Sequence, residues 1–461
     1  MKKIVLSIAG VMAAAAFAPE ASALPLFARQ TGMACSACHF QHFPLLNGFG
    51  RSFKASAFTM MGAQGKVEGD KLSLPETLNM AVLTTAGYTK NNTAPAAGTF
   101  AAAGVKTAGN GSVYVPGTNG EFSLFIGGRT SEFSGALAEI GLTQFGGAGA
   151  GVASAKFPML WSVGDARVGI VPFTTDAQGA SYGFEELNTG ANAIHIMEFA
   201  GGDFNGSIGP ALSAQQYIGT AGTATGAALV ANSDMGFINV TKYHLAGPAA
   251  LGGTGAKLGS TYLRVAGTFD LAGWDSAVGV QSWSGSGTAV AAGTALAPVV
   301  PTLHDTKAFA IDGQMQGELG GMPVGFYASY ASAPVSYNPT GGNMYNNAGA
   351  LAAVGAGVGV TAKRSSFNIS AEVGVLPEVA TIGLGIRRGK SGTNTGSGLA
   401  GANDTDNAFL LAGTYKLQQN MMLQLVYTKQ SGGFWTSNAL GTGNTQVTGS
   451  TQTALNLATL F

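Results

Sequence analysis

From Leu74 to Phe461 the chain alternates apolar with small or polar residues, segment after segment, and that period of two admits β-strands and little else. In 261–271, Leu263, Val265, Phe269 and Leu271 fall on one side, and Tyr262, Arg264, Thr268 and Asp270 on the other. In 366–375, Phe367, Ile369, Ala371, Val373 and Val375 oppose Ser366, Asn368, Ser370 and Glu372. In 421–428, Met421, Leu423, Leu425 and Tyr427 oppose Gln424 and Thr428. Segments of about ten residues with a polar inner face are the signature of a transmembrane β-barrel. A soluble sandwich also alternates, but here the outward face is apolar along nearly every segment and the other is mostly Ser, Thr, Asn and Gly. Leu455, Leu457 and Phe461 close the chain on one face, with an aromatic last residue. The expected fold class is all-β: a transmembrane outer-membrane barrel.

Loop lengths set the strand count, because such barrels have short turns on one side, long loops on the other and an even number of strands. Tight turns are expected near Ser131-Glu132, Gly164-Asp165, Leu271-Ala272-Gly273, Gly320-Gly321, Arg364-Ser365 and Leu417-Gln418. Long polar loops are expected near 91–120, 175–190, 286–305, 335–350, 390–406 and 431–451. With 366–389 taken as one strand bulged at Pro377, about sixteen antiparallel strands result (an estimate from the alternation rule), and both barrel termini lie at the short-turn end. Residues 201–256 are the ambiguous stretch, since 201–224 has room for another hairpin. Fourteen or eighteen strands are the alternatives.

The chain opens with Met1-Lys2-Lys3, an apolar run from Ile4 to Phe17, and Ala21-Ser22-Ala23. This reads as an export signal over residues 1–23, the run being shorter than the ~20 residues a membrane-spanning helix needs. Lys+Arg and Asp+Glu are 23 each; zero net charge gives no basic face for nucleic acid. Hydrophobic residues at 46% are too many for a disordered chain, despite 71 glycines.

The two cysteines of the chain both lie in Cys35-Ser36-Ala37-Cys38-His39. C-x-x-C-H is the pattern of covalent haem c attachment: two thioethers to one macrocycle, with the adjacent His as an axial iron ligand. A disulfide between such near neighbours would close a tiny loop and add little. A thioredoxin-like pair does not call for the His and has no βαβ context here. Behind the motif, Phe40 to Lys54 is aromatic-rich, with Phe43 suited to packing a flat macrocycle and Arg51 and Lys54 to pairing with haem propionates. The layout is a signal (1–23), a monohaem cytochrome c segment (24–73) acting as a plug in the barrel lumen or at its periplasmic mouth, and a porin-like barrel (74–461).

The string Leu24-Pro25-Leu26-Phe27-Ala28-Arg29-Gln30-Thr31-Gly32, followed by Cys35 to His39, Phe43-Pro44, Leu46-Asn47, Phe49-Gly50-Arg51 and Phe53-Lys54, resembles the monohaem fused cytochrome–porins of iron-oxidising bacteria. The haem segment carries the likeness; the barrel matches only in layout. Where that family often has Gly-Tyr before Thr-Met, this chain has Ala57-Phe58-Thr59-Met60. The resemblance implies an outer-membrane protein, in contact with outer-membrane lipid, that takes electrons from extracellular Fe(II) and passes them to a periplasmic c-type cytochrome.

His39 is the expected proximal ligand. Its partner is open: Met60 first, then Met61, then His42, or no second protein ligand. A Met/His pair raises the potential and suits an acceptor of electrons from Fe(II); ordinary packing is the competing role for any Met. His195, His244 and His304 are scattered singly and carry no metal assignment. Glu139, Asp176, Glu185 and Glu372 are acidic residues of the barrel half without an assigned role. Two other functions compete with iron oxidation: an outward conduit reducing external metals, and a diffusion porin with a structural or regulatory haem plug.

Overall fold

The computed structural model describes residues 25–91, 111–117, 119–142, 151–189, 213–248, 257–289, 302–336, 342–346, 362–392, 405–432 and 451–461. The export signal expected over 1–23, His195, and much of the expected long polar loops lie outside the described residues. The described residues begin with three helices, α1 (Pro25–Thr31), α2 (Cys35–Cys38) and α3 (Gly48–Ala55), then a separate hairpin of β1 (Lys66–Gly69) and β2 (Leu72–Pro75).

Sixteen antiparallel strands then close on themselves. They are β3 (Met80–Asn91), β4 (Gly111–Pro116 continued by Asn119–Gly120 and Phe122–Arg129), β5 (Gly135–Gly141), β6 (Gly151–Lys156 continued by Met159–Val163) and β7 (Ala166–Thr175). After a helix α4 (Ala214–Ile218) come β8 (Ala224–Ser233), β9 (Gly236–His244), β10 (Ser260–Leu271) and β11 (Trp274–Ala289). The rest are β12 (Thr302–Asp305 continued by Ala308–Leu319), β13 (Met322–Ala333), β14 (Arg364–Leu376), β15 (Ala380–Lys390), β16 (Thr405–Gln418), β17 (Met421–Ser431) and β18 (Thr451–Leu460). Closure comes from β18 on β3, with Leu455 opposite Tyr88 and Leu460 opposite Leu83. Closure removes the free edges that a hydrocarbon environment would leave unsatisfied.

The alternation has the orientation expected of a membrane barrel. In β10, Leu263, Val265, Phe269 and Leu271 are 39–52% exposed on the outer face, whereas Tyr262 and Arg264 are fully buried inside. In β14, Phe367 and Ile369 point out while Asn368 and Glu372 are buried. An apolar outer face is stable only against lipid. Near the short-turn end it carries aromatic pairs, Phe133 stacked on Trp161 at 4.9 Å and Trp274 near Phe326 at 5.9 Å. Such rings favour the membrane–water interface.

The strand total is as expected, but some boundaries differ. Residues 366–389 are two strands, β14 and β15, joined by a turn at Pro377-Glu378-Val379 and paired from Ser365–Lys390 onward. Pro377 ends the ladder because it has no N–H to donate; the register shift lies beside it, between Val373 and Leu376. Arg364-Ser365, expected as a turn, instead starts β14, and the turn expected at Leu417-Gln418 falls at 419–420. A turn at Asp234-Met235 joins β8 to β9 inside the ambiguous stretch; residues 201–212 lie outside the described residues. The first barrel strand starts at Met80, after the separate hairpin.

Two features fill the lumen among the described residues. The connection after β7, expected as an outer loop, turns inward, and residues 180–189 are all buried. Helix α4 also lies inside, its Ala214 N–H donating to Ser329 and Asn368 of β13 and β14. Tyr217 on α4 sits under the guanidinium groups of Arg364 and Arg387, at 4.6 and 4.3 Å. Around it, Phe173, Tyr182, Tyr243, Tyr262 and Trp283 form an apolar core within the barrel.

Candidate functional site

The C-x-x-C-H motif forms a single helical turn. Ala34 and His39 flank α2 in extended conformation, and the His39 N–H donates to the Cys35 carbonyl at 2.9 Å. The spacing of three puts both sulfurs on one side of the turn, and neither is in a disulfide. The next residues fold back: the Phe40 N–H donates to Leu45 O at 2.8 Å, and the Asn47 N–H to Cys38 O at 3.0 Å. Asn47 works in both directions. Its Nδ2 donates to the carbonyls of Ser36 and Ala37, and its Oδ1 caps α3 by accepting from the Gly50 N–H at 2.9 Å. Gly50 is required by contact: a Cβ there would stand 2.1 Å from the Cys38 carbonyl oxygen.

His39 is held in the state a metal ligand needs. Its Nδ1 lies 3.2 Å from the Leu45 carbonyl. A carbonyl only accepts, so Nδ1 carries the proton and Nε2 keeps its lone pair. A hydrogen bond of this kind to the far ring nitrogen is how metal-bound histidines are oriented. Burial lowers the ring's pKa to about 4, with the Leu45 carbonyl opposing, so the imidazole is neutral. Burial also pushes the Cys35 thiol up to about 12 and raises that of Cys38. A redox-active C-x-x-C pair needs the reverse shift. The residues therefore fit covalent haem better than dithiol exchange.

The segment is fastened across the short-turn mouth of the barrel. The Cys35 N–H donates to Gln419 Oε1 at 2.9 Å, and its sulfur reaches the Gln419 carbonyl at 3.3 Å. Phe27, Phe53 and Phe58 cluster at ring distances of 5.0, 5.0 and 5.9 Å. Gln30 Nε2 donates at 2.7 Å to the carbonyls of Phe58 and Met60, and its Oε1 accepts from the Arg129 N–H of β4. Met60 and Met61 are both half-buried on this strapped-down segment. His42 is not available as a ligand: Nε2 pairs with Glu372 at 2.6 Å and Nδ1 with the Phe43 carbonyl at 2.7 Å.

Three expected haem contacts turn toward the barrel. Phe43 packs on Met422 and Ala458 of β17 and β18. Arg51 makes a two-oxygen contact with Asp275, at 2.6 and 2.7 Å. Lys54 lies in the field of Glu185 and Glu186 on the inward loop; burial lowers its pKa and the two carboxylates oppose that shift. Asn188 of the same loop exchanges two hydrogen bonds with the backbone of Leu46, at 2.8 and 2.9 Å. Deeper in, Arg264 is ion-paired with Asp312 and, at 3.3 Å from Nε, with Glu185. Sequence reasoning placed Arg264 and Glu372 on the polar face, but it had no signal for the inward loop that joins them to the haem-motif segment.

A cleft of about 420 Å³ separates α3 from the barrel wall, bounded by Arg51, Ser52, Arg167, Glu186, Asp234 and Asp270 among others. Among the described residues no three His, Cys, Asp or Glu side chains are grouped to hold a metal ion.

No family model matches the chain, and no curated protein resembles it in sequence. Among solved structures it is similar to the outer-membrane-expressed OmpT of Vibrio cholerae, at 8% identity and TM-score 0.43, over 86% of this chain and 100% of that one. It is also similar to Salmonella typhi OmpF in complex with daunomycin (11%, TM-score 0.44, 86% and 100%). A third is the outer-membrane channel DcaP of Acinetobacter baumannii (11%, TM-score 0.42, 86% and 100%). These likenesses concern the barrel and do not bear on the N-terminal segment.

Proposed function

We propose that the chain is an outer-membrane c-type cytochrome fused to a porin-like barrel, which accepts electrons from extracellular Fe(II) and delivers them to a periplasmic electron carrier. The observation that carries this is His39: a neutral imidazole, oriented through Nδ1, one and four residues from two thiols that are not in a disulfide, at the mouth of a filled barrel. Cys35 and Cys38 would hold haem c and His39 its iron, with Met60 as the first choice on the opposite side. When bound, that group supplies one-electron chemistry at a potential set by its axial ligands.

The chain's own residues do the rest. Gln419, Asn47 and Gln30 fix the segment. Asn188 ties it to the lumen loop, and Phe43 wedges it against the wall. Short turns mark the periplasmic side in barrels of this kind, which would put the motif within reach of a periplasmic partner. The inward loop, α4 and the N-terminal segment argue against free solute diffusion through the lumen.

The test is stopped-flow spectroscopy of oxidised holoprotein in liposomes mixed with external Fe(II), alongside a solute-leak assay. Rapid reduction of the haem band without leak is expected. Free solute flux with an unreactive haem would establish the diffusion porin instead. A strongly negative reduction potential would establish outward flow.

A further inference from the structure

The chain has zero net charge, yet its charges are sorted by end. Six successive short turns carry an exposed carboxylate in the turn or at the strand end beside it: Glu132, Asp165, Asp234, Asp270, Glu318 and Glu378. Of these, only Glu378 is in an ion pair among the described residues, with Lys416 at 3.1 Å. At the long-loop end, among the described residues, the exposed charges are Lys90, Lys242, Lys257, Lys307, Arg388, Lys390 and Lys429, against one exposed carboxylate, Asp176. The acidity of one rim is therefore a property of that rim and not of the composition. A ring of separated carboxylates is the wrong geometry for a metal ion, and no metal-holding group exists among the described residues. It does produce a field large enough to orient a macromolecule of opposite sign.

A second observation singles out one sector. The cleft beside α3 opens between Asp234, Asp270 and Asp275, and its lining holds these carboxylates and Glu186 against Arg51 and Arg167. Glu186 and Arg51 are each only 6% exposed, and Glu186 Oε1 and Arg51 Nη1 have no hydrogen-bond partner. Buried polar atoms left unmatched are costly, so both groups favour a visitor bringing an N–H donor for the Glu186 oxygen and a carbonyl for the guanidinium. A protruding lysine, with its own backbone carbonyl, brings both.

We propose that this acidic rim is the docking face for a small basic redox protein, one of whose lysines enters the cleft between Asp234 and Asp270 and donates a hydrogen bond to Glu186 Oε1. The inference rests on the electron-transfer reading and adds the surface used and the charge of the carrier. Docking here would bring that carrier to the mouth spanned by Cys35, Cys38 and His39.

The experiment uses holoprotein in lipid nanodiscs and, as probe, a lysine-rich small c-type cytochrome with its lysine-acetylated form as control. Binding is followed by fluorescence anisotropy and electron transfer by stopped flow, each from low to high salt. Wild type should bind the basic probe at low salt and lose it as salt rises, since the Debye length shrinks. D234N/D270N should bind about tenfold more weakly at low salt and converge with wild type at high salt; E186Q should weaken binding about threefold and leave the salt slope unchanged. Asp270 accepts from the Gly273 N–H, a role asparagine keeps, so the turn survives. Equal binding of native and acetylated probe, or no effect of D234N/D270N, would overturn the docking proposal even where Fe(II) reduces the haem. Rim-dependent binding without any electron transfer would sustain the docking face and remove the redox reading.

Discussion

Asn188→Ala isolates the contact that ties the haem-motif segment to the lumen loop. Asn188 is fully buried, and its side chain accepts from the Leu46 N–H at 2.8 Å and donates to the Leu46 carbonyl at 2.9 Å. Its own N–H donates to Gln314 Oε1 at 2.7 Å, a bond the alanine variant retains. The substitution therefore removes two hydrogen bonds and leaves the loop anchored. Each is worth about 1 kcal/mol, so the loss is about 2 kcal/mol. Leu46 is half-buried, and partial access to water keeps the cost from rising further. At 1.4 kcal/mol per factor of ten, local opening of the segment becomes about 30-fold more frequent. Hydrogen–deuterium exchange on holoprotein in nanodiscs reads this directly: amides around Leu46 should exchange about 30-fold faster, with the barrel strands unchanged. Planar-bilayer recording should show brief conductance steps absent from wild type. An exchange ratio close to one at Leu46 would refute the reasoning, because the segment would then be held by its other contacts alone. A uniform acceleration across the strands would refute it differently, by showing that Asn188 supports the whole barrel.

Replacing Cys35 and Cys38 by serine should abolish haem that survives denaturing electrophoresis, while heat-modifiable migration shows the barrel still folded. Met60→Ala should lower the reduction potential in a spectroelectrochemical titration; an unchanged potential and spectrum would shift the assignment to Met61 or an open site. Arg264→Leu leaves Asp312 and Glu185 buried without their cation and should cost about 3–5 kcal/mol, seen as a lower unfolding midpoint in denaturant; an unchanged midpoint would show both carboxyls neutral. Burial raises Glu186 to about 8, with Lys54 and Arg51 opposing. Between its ordinary value of 4.5 and about 8 the unfolded chain loses that proton first, so stability from this group falls as pH rises through the window. E186Q should flatten the unfolding midpoint between pH 5 and 8, and a wild-type slope in the variant would refute the assignment.

Sequence by itself determined the period of two, the side of each strand that meets lipid and the presence of one C-x-x-C-H motif. These are local facts: alternation follows from the pleat, and C-x-x-C-H places two thiols and an imidazole within one helical turn. It also yielded the strand total, although Pro377 hid a turn inside unbroken alternation. Tertiary structure decided what the sequence reported as separate pieces. Residues 180–189 look like a polar outer loop, yet Phe184 and Leu187 draw them inward, where Glu185 meets Arg264 and Asn188 meets Leu46. His42 reads as a ligand candidate, yet Glu372, 330 positions later, holds its Nε2. Arg51 reads as a partner for a haem carboxylate, and Asp275 occupies it. Such pairings depend on how a closed barrel brings distant strands around one mouth, and a period of two fixes which face a residue takes but not which residue it faces across the lumen.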